Sequence, residues 1–210
     1  FTKDYAEETL NNQFQTKTLK GFGIDNLPKA TVAAGAIFHY LGENQHKRLD
    51  HITSIARIEE ERYVWLDRFT VRNLELLSSS HENAKTLADI LDETQTAMGG
   101  RMLKRWMVLP LKNKAPIERR LSVVSFLKGH QELSFELSQR LKNIGDLERL
   151  ISKVAVGKVN PKEVAHLKRT LTEIPSIKTL LQKKSNPKGL TEMLNKLDSC
   201  DKLVALIDKT

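Results

Sequence analysis

The sequence has 210 residues, of which 40% are hydrophobic and 29% charged, a balance that suits a chain with a sizeable buried core. No apolar run approaches the roughly 18 residues of a membrane span, and the acids and amides between Phe1 and Asn12 do not form a secretory leader. A lone cysteine, Cys200, excludes a disulfide framework and a cysteine-based zinc site, so a cytoplasmic setting is expected.

The formal charge of +8 permits a polyanionic partner without requiring one. Its distribution is uneven. Between Met98 and His130 eight bases (Arg101, Lys104, Arg105, Lys112, Lys114, Arg119, Arg120 and Lys128) face a single acid, Glu118, so nearly all of the excess falls in that segment. The start at Phe1 rather than Met points to a longer parent chain.

In chain order, the pattern predicts a short helix from Lys3 to Phe14 and a second from Pro28 to Asn44. In the second, Ala33-Ala34-Gly35-Ala36 allows a neighbour to approach closely. Between them, Leu19 to Ile24 reads as a tight apolar passage punctuated by Gly21 and Gly23. Residues Ser54 to Asp67 are rich in β-branched and aromatic types around Glu60-Glu61-Arg62, which predicts a small hairpin. Ser78-Ser79-Ser80 reads as a flexible joint.

From Asn83 onward the pattern is helical. Met102, Leu103, Trp106 and Met107 share one side of a helix that Pro110 stops, with Arg101, Lys104 and Arg105 on the other side. A further helix starts near Pro116, and Gly129 separates it from Leu133, Leu137 and Leu141. Asp146 is an expected N-cap for the helix bearing Leu147 and Ile151. Asn160-Pro161-Lys162-Glu163 is the clearest start signal, and Pro175 is expected to kink the helix it opens. Asn186-Pro187 repeats that signal ahead of Leu190 and Leu194. The expected fold is mainly α: long packed helices preceded by a small mixed α/β segment.

The search for chemistry gives no converging site. No G-x-x-x-x-G-K-S/T phosphate loop occurs, and no two of the six histidines stand four residues apart as a helical zinc pair would. His46, Asp50 and His51 could meet around a metal, although a solvated loop is the simpler reading. Glu59-Glu60-Glu61 reads as a solvated turn, because consecutive strand residues point to alternate faces. Ser78-Ser79-Ser80-His81 lacks triad geometry as far as spacing goes. No catalytic, cofactor-binding or metal-binding residue is therefore assigned. Lys104, Arg105, Arg119 and Arg120 are candidate weak phosphate contacts. The alternative is a solvated basic face that meets acids, which is the commoner fate of helical charge runs. Trp106, on the apolar side, offers these arginines no stacking partner.

Five segments together resemble the MutS family. Thr94-Gln95-Thr96-Ala97-Met98-Gly99-Gly100-Arg101-Met102-Leu103-Lys104-Arg105-Trp106, followed by Leu109-Pro110-Leu111, is similar to a T-P-M-G-x-R-x-L-K-R-W run ahead of a P-L pair, with Ala97 where proline is usual. Leu66-Asp67 with Thr70 and Arg72-Asn73-Leu74-Glu75-Leu76 is similar to the family's entry into its helical core. Leu19 to Gly23 resembles an element of its connector domain, and Gly145-Asp146-Leu147-Glu148-Arg149 and Asn160 to Leu167 resemble two later helix starts.

The resemblance implies residues 1–65 as the end of a connector domain and 66–210 as the first part of a helical core, or lever, domain. It implies a non-catalytic segment of an ATP-driven, homodimeric parent that recognises mismatched double-stranded DNA and recruits a MutL-type protein, with the connector as a candidate contact. ATP and Mg would be held by the parent outside this stretch. Gly99 and Gly100 are expected near an inter-domain joint, with Arg101 either anchoring connector to core through Asp67 or Glu75 or only closing a helix N-terminal contact. The alternatives are an autonomous helical module that binds nucleic acid or one that binds protein.

Overall fold

A computed structural model describes residues 2–44, 49–57, 60–81, 83–155, 157–182 and 185–209. The chain divides into two compact units, Phe1–Glu59 with Ile151–Val159, and Glu60–Leu150 with Asn160–Thr210. The mainly helical class stands, with eleven α-helices among the described residues.

In the first unit, α1 (Lys3–Gln13) packs on α2 (Pro28–Glu43). Thr2 caps α1 by accepting the Tyr5 N–H, and Pro28 opens α2 at a position where no intrahelical N–H is needed. The passage between them is a single 3₁₀ turn, Lys20–Phe22, closed by Gly23 at φ +67°, which only glycine adopts without strain. Leu10, Leu19 and Ile24 are buried there, with Phe14, Phe22 and Phe38 packed around them. Phe14 sits 4.9 Å from Phe22 and 5.6 Å, edge to face, from Phe38. Gly35 explains the tightness. A Cβ at that position would lie 2.7 Å from the Cα and Cβ of Ala6, so the two helices touch backbone to backbone. The buried Thr31 hydroxyl is satisfied locally, within reach of the Leu27 and Ile24 carbonyls.

The hairpin expected from Ser54 to Asp67 does not form among the described residues. The chain makes a 3₁₀ turn at Glu60–Arg62, and Tyr63 then pairs with Leu111 in an isolated antiparallel bridge. The Val64 N–H donates to the Pro110 carbonyl at 2.8 Å, and the Lys112 N–H to Arg62 at 3.0 Å. The β-forming residues thus find their partner just past the helix Ala97–Val108, some 50 positions on, because strand propensity expresses itself only against whatever edge the fold offers.

The second unit contains α3 (Arg68–Asn73), α4 (Leu87–Leu91), α5 (Ala97–Val108), α6 (Lys114–Gly129) and α7 (Gln131–Leu141), then α9 (Pro161–Gln182), α10 (Lys188–Asn195) and α11 (Asp201–Asp208). Its apolar centre is Leu133, Ile177, Leu180, Leu181, Leu190 and Leu194, onto which Val123, Phe126 and Leu137 pack. Each fully buried leucine contributes about 1.5–3 kcal/mol of transfer free energy. α8 (Leu147–Ala155) begins in this unit, and its residues from Ile151 group with the first.

Helix starts are explicit. Thr86 and Asp89 form a capping box, and Asn160 and Glu163 bond reciprocally, backbone to side chain, at 2.9 and 3.0 Å. The Asn186-Pro187 start works differently: the Asn186 amide donates back to the Leu181 carbonyl at 2.7 Å, and α10 has no side-chain cap. Pro175, expected as a kink, lies within an α9 that runs through to Gln182.

Candidate functional site

Arg101 sits one turn into α5, a helix whose cap is Thr96, its hydroxyl accepting the Gly99 N–H at 2.9 Å. The guanidinium reaches the start of α8, within the second unit. Nη1 and Nη2 donate to the two oxygens of Asp146 at 2.8 and 2.6 Å, while Nε and Nη2 donate to Glu148 Oε2 at 3.0 and 2.7 Å. Four of its five N–H bonds are therefore committed, in the planar fork geometry that lysine cannot reproduce.

Asp146 serves two elements at once, because it also accepts the Arg149 N–H at 3.2 Å as the expected cap of α8. The Arg101 hydrogen bonds, helped by that backbone bond, hold its carboxyl down at about 2. The same contacts, from Asp146 first and then Glu148, raise the Arg101 guanidinium further above its ordinary range. The sequence spacing concealed this arrangement. Gly145-Asp146-Leu147-Glu148-Arg149 is legible as a helix start, but nothing local marks its carboxylates as partners for a residue 45 positions earlier.

The expected Arg101 partners are employed elsewhere. Asp67 caps α3, accepting the Thr70 N–H at 2.7 Å, a bond that lowers its pKa. Glu75 takes a left-handed backbone, φ +47°, and accepts the Ser79 hydroxyl at 2.6 Å. Its carbonyl and that of Leu76 accept the first two N–H groups of α4. Arg101 thus joins α5 to α8 within one unit rather than bridging to Asp67 or Glu75. Ser78-Ser79-Ser80 and Gly99-Gly100 likewise lie inside the second unit. The two glycines belong to the first turn of α5 and provide room: a Cβ on Gly99 would lie 3.0 Å from Thr96 Oγ1, and one on Gly100 3.2 Å from Asp92 Oδ2. Asp92 is in turn held by the Thr94 hydroxyl, which lowers its pKa.

The four candidate phosphate contacts do not act as one face. Arg119 pairs with Glu192 at 3.2 Å. Arg120 lies over the Trp106 ring, 3.6 Å from its centroid, and burial pulls its pKa below the ordinary value. Trp106 therefore does meet an arginine, one supplied by the next helix rather than its own. Lys104 lies near Asp89 and Asp92, whose carboxyl pKa values are lowered chiefly by hydrogen bonds from Thr86 and Thr94 and, to a lesser degree, by the Lys104 charge. Arg105 is exposed. Most of the basic run is thus matched to acids or an aromatic within this chain.

Among the described residues no group of three or more histidine, cysteine or acidic side chains could hold a metal ion. His46 and Glu59, with the readings that rest on them, lie outside the described residues. No described helix is long and apolar enough to cross a membrane.

Two family models match the chain in order: MutS domain II over residues 1–53 and MutS domain III over residues 69–210. The chain belongs to the MutS family. The curated relatives it resembles carry the name DNA mismatch repair protein MutS. Identity is 51% over 211 residues with the protein of Flavobacterium psychrophilum, covering all of this chain and 24% of the relative. It is 53% over 203 residues with that of Christiangramia forsetii, covering 97% and 23%, and 45% over 209 residues with that of Bacteroides fragilis, covering 100% and 24%. The chain thus spans about a quarter of the length of these MutS relatives. The Arg101 clamp falls wholly within the stretch matched by MutS domain III.

Proposed function

We propose that this chain is the coupling segment of a mismatch-repair protein, residues 1–65 forming connector and 66–210 the first part of a helical lever. It would carry mechanical change between a mismatch-binding end and an ATPase end held by other parts of the parent. The observation that supports this most is the Arg101 clamp. It grips the first turn of α8 from within the second unit, so a displacement of α5 is passed to the start of α8. Coupling over distance needs stiff elements that exchange between discrete packings, and a bidentate ionic grip between two helices is such a contact.

Catalysis is not part of this segment's role in this reading. ATP and Mg belong to the parent's nucleotide-binding region, since this stretch carries no phosphate loop to cradle them. The partners in this reading are mismatched duplex DNA, reached through the parent, a second parent subunit, and a MutL-type protein that meets the connector residues. The setting is the cytoplasm.

The test is made in the full-length parent. Arg101→Ala is expected to slow ATP-driven release from mismatched DNA about ten-fold or more, while mismatch affinity changes by less than about three-fold, since ~1.4 kcal/mol separates each factor of ten. Equal loss of both, or of neither, contradicts a coupling role. Steeply salt-dependent DNA binding by the isolated chain that is centred on Arg105 and Arg119 would favour an autonomous nucleic-acid-binding module instead.

A further inference from the structure

A groove of about 470 Å³ runs along the second unit between the end of α7 and the middle of α9, lined by Lys142, Asn143, His166, Lys168, Arg169 and Glu173. Its charges are unevenly spent. Glu173, the acid on its wall, is turned toward Arg140 at 3.6 Å and accepts from the Asn143 amide at 3.3 Å. Lys168 is bound to Asp208. Lys142 has only a long contact, 3.5 Å, to the neutral Gln139 amide oxygen, and Arg169 is exposed with no acid partner among the described residues. His166 completes the lining, its ring held so close to Gly145 that a Cβ there would meet Nε2 at 2.3 Å.

The carboxylate on the groove wall is therefore engaged by Arg140 and Asn143, while Lys142 and Arg169 line the same groove with no acid partner among the described residues. We propose that it is a phosphate-contacting site, and that Lys142 and Arg169 each engage a backbone phosphodiester of duplex DNA, with His166 as a third donor. This site is separate from the basic run at Lys104 to Arg120, where most cations are already matched. The choice of DNA as the source of the phosphates rests on the mismatch-repair reading above; the anion selectivity rests on the groove alone. Duplex DNA is favoured over an acidic protein segment because no large apolar side chain lines the groove to anchor a peptide, and phosphate contacts need none.

The experiment measures binding of the 210-residue chain to a fluorescent duplex across a salt series, for the wild type, for the neutral pair Lys142→Gln/Arg169→Gln and for the conservative pair Lys142→Arg/Arg169→Lys. Each phosphate contact contributes about one unit to the slope of log affinity against log salt, so the neutral pair is expected to lower the slope by about two and the conservative pair to retain it. The His166 ring resonances of the wild type should move on adding duplex, a readout independent of whether either variant folds less well. An unchanged slope in the neutral pair, static His166 resonances, or tighter binding of a polyglutamate peptide than of duplex would each overturn the proposal. A groove that fails in this way while Arg101 still governs release in the parent rejects the site and leaves the coupling reading standing.

Discussion

The two helix pairs α1–α2 and α5–α8 are held together by opposite means. α1 and α2 meet through Gly35 and Ala6 at backbone contact, with Leu10 fully buried beneath. α5 buries no residue at all, and its reach to α8 depends on one guanidinium and two carboxylates that remain partly in water. A close-packed apolar contact is insensitive to salt and has one geometry. An exposed ionic grip is specific in direction but modest in strength, and it responds to ionic strength and pH. The proposed coupling role would use both, a rigid contact in one unit and an exchangeable one in the other.

Substitutions sharpen this contrast in a graded way. Leu10→Ala should have the largest effect, lowering unfolding free energy by about 2–5 kcal/mol in chemical denaturation, because it removes fully buried atoms from the core of the first unit. Gly35→Ala comes next. The added methyl meets the Ala6 backbone and should cost about 1–3 kcal/mol through forced separation of α1 and α2, visible as faster amide exchange along both helices. Asn160→Ala removes one half of the reciprocal cap of α9 and should cost about 1 kcal/mol by the same denaturation assay.

Arg101→Ala should have the smallest effect on stability and the clearest on titration: the Asp146 carboxyl, held at about 2, should rise toward the ordinary value near 3.9 when followed by carbon NMR. Because the folded pKa lies below the unfolded one, the clamp's contribution is complete above about pH 4 and is lost as pH falls toward 2. The α1–α2 contact should show no such dependence over that window. If Gly35→Ala were harmless and Arg101→Ala unfolded the chain, the contrast would be reversed.

What the sequence made legible follows from locality. The starts of α1 and α2 and the start at Asn160 are set by a cap or a proline at the end they define, so reading them requires no knowledge of the rest of the fold. Gly35 was legible as a close-approach residue for the same reason. Most of the misreadings involve distance. The residues expected to form a hairpin instead meet Leu111 in a single bridge. Asn186 shares the Asn-Pro-Lys start with Asn160 but has Gly189 where Glu163 closes the other cap, and its amide donates back to the Leu181 carbonyl, a local contact that the start signal did not reveal. The partner of Arg120 is Trp106 on the preceding helix, a pairing that helical periodicity along one segment cannot reveal. Arg101 was singled out, yet its acids stood 45 and 47 positions away while Asp67 and Glu75 lay nearer in the chain.

The central claim is that α5 drives α8 through the Arg101–Asp146 contact. Its most direct test is the rate of ATP-triggered release from mismatched DNA by the full-length parent carrying Arg101→Ala, Asp146→Asn, or both. The account predicts that each single change slows release and that the double variant is no slower than the worse single one, since both remove the same contact. Independent, additive losses in the double variant, or release at the wild-type rate in either single one, would contradict it.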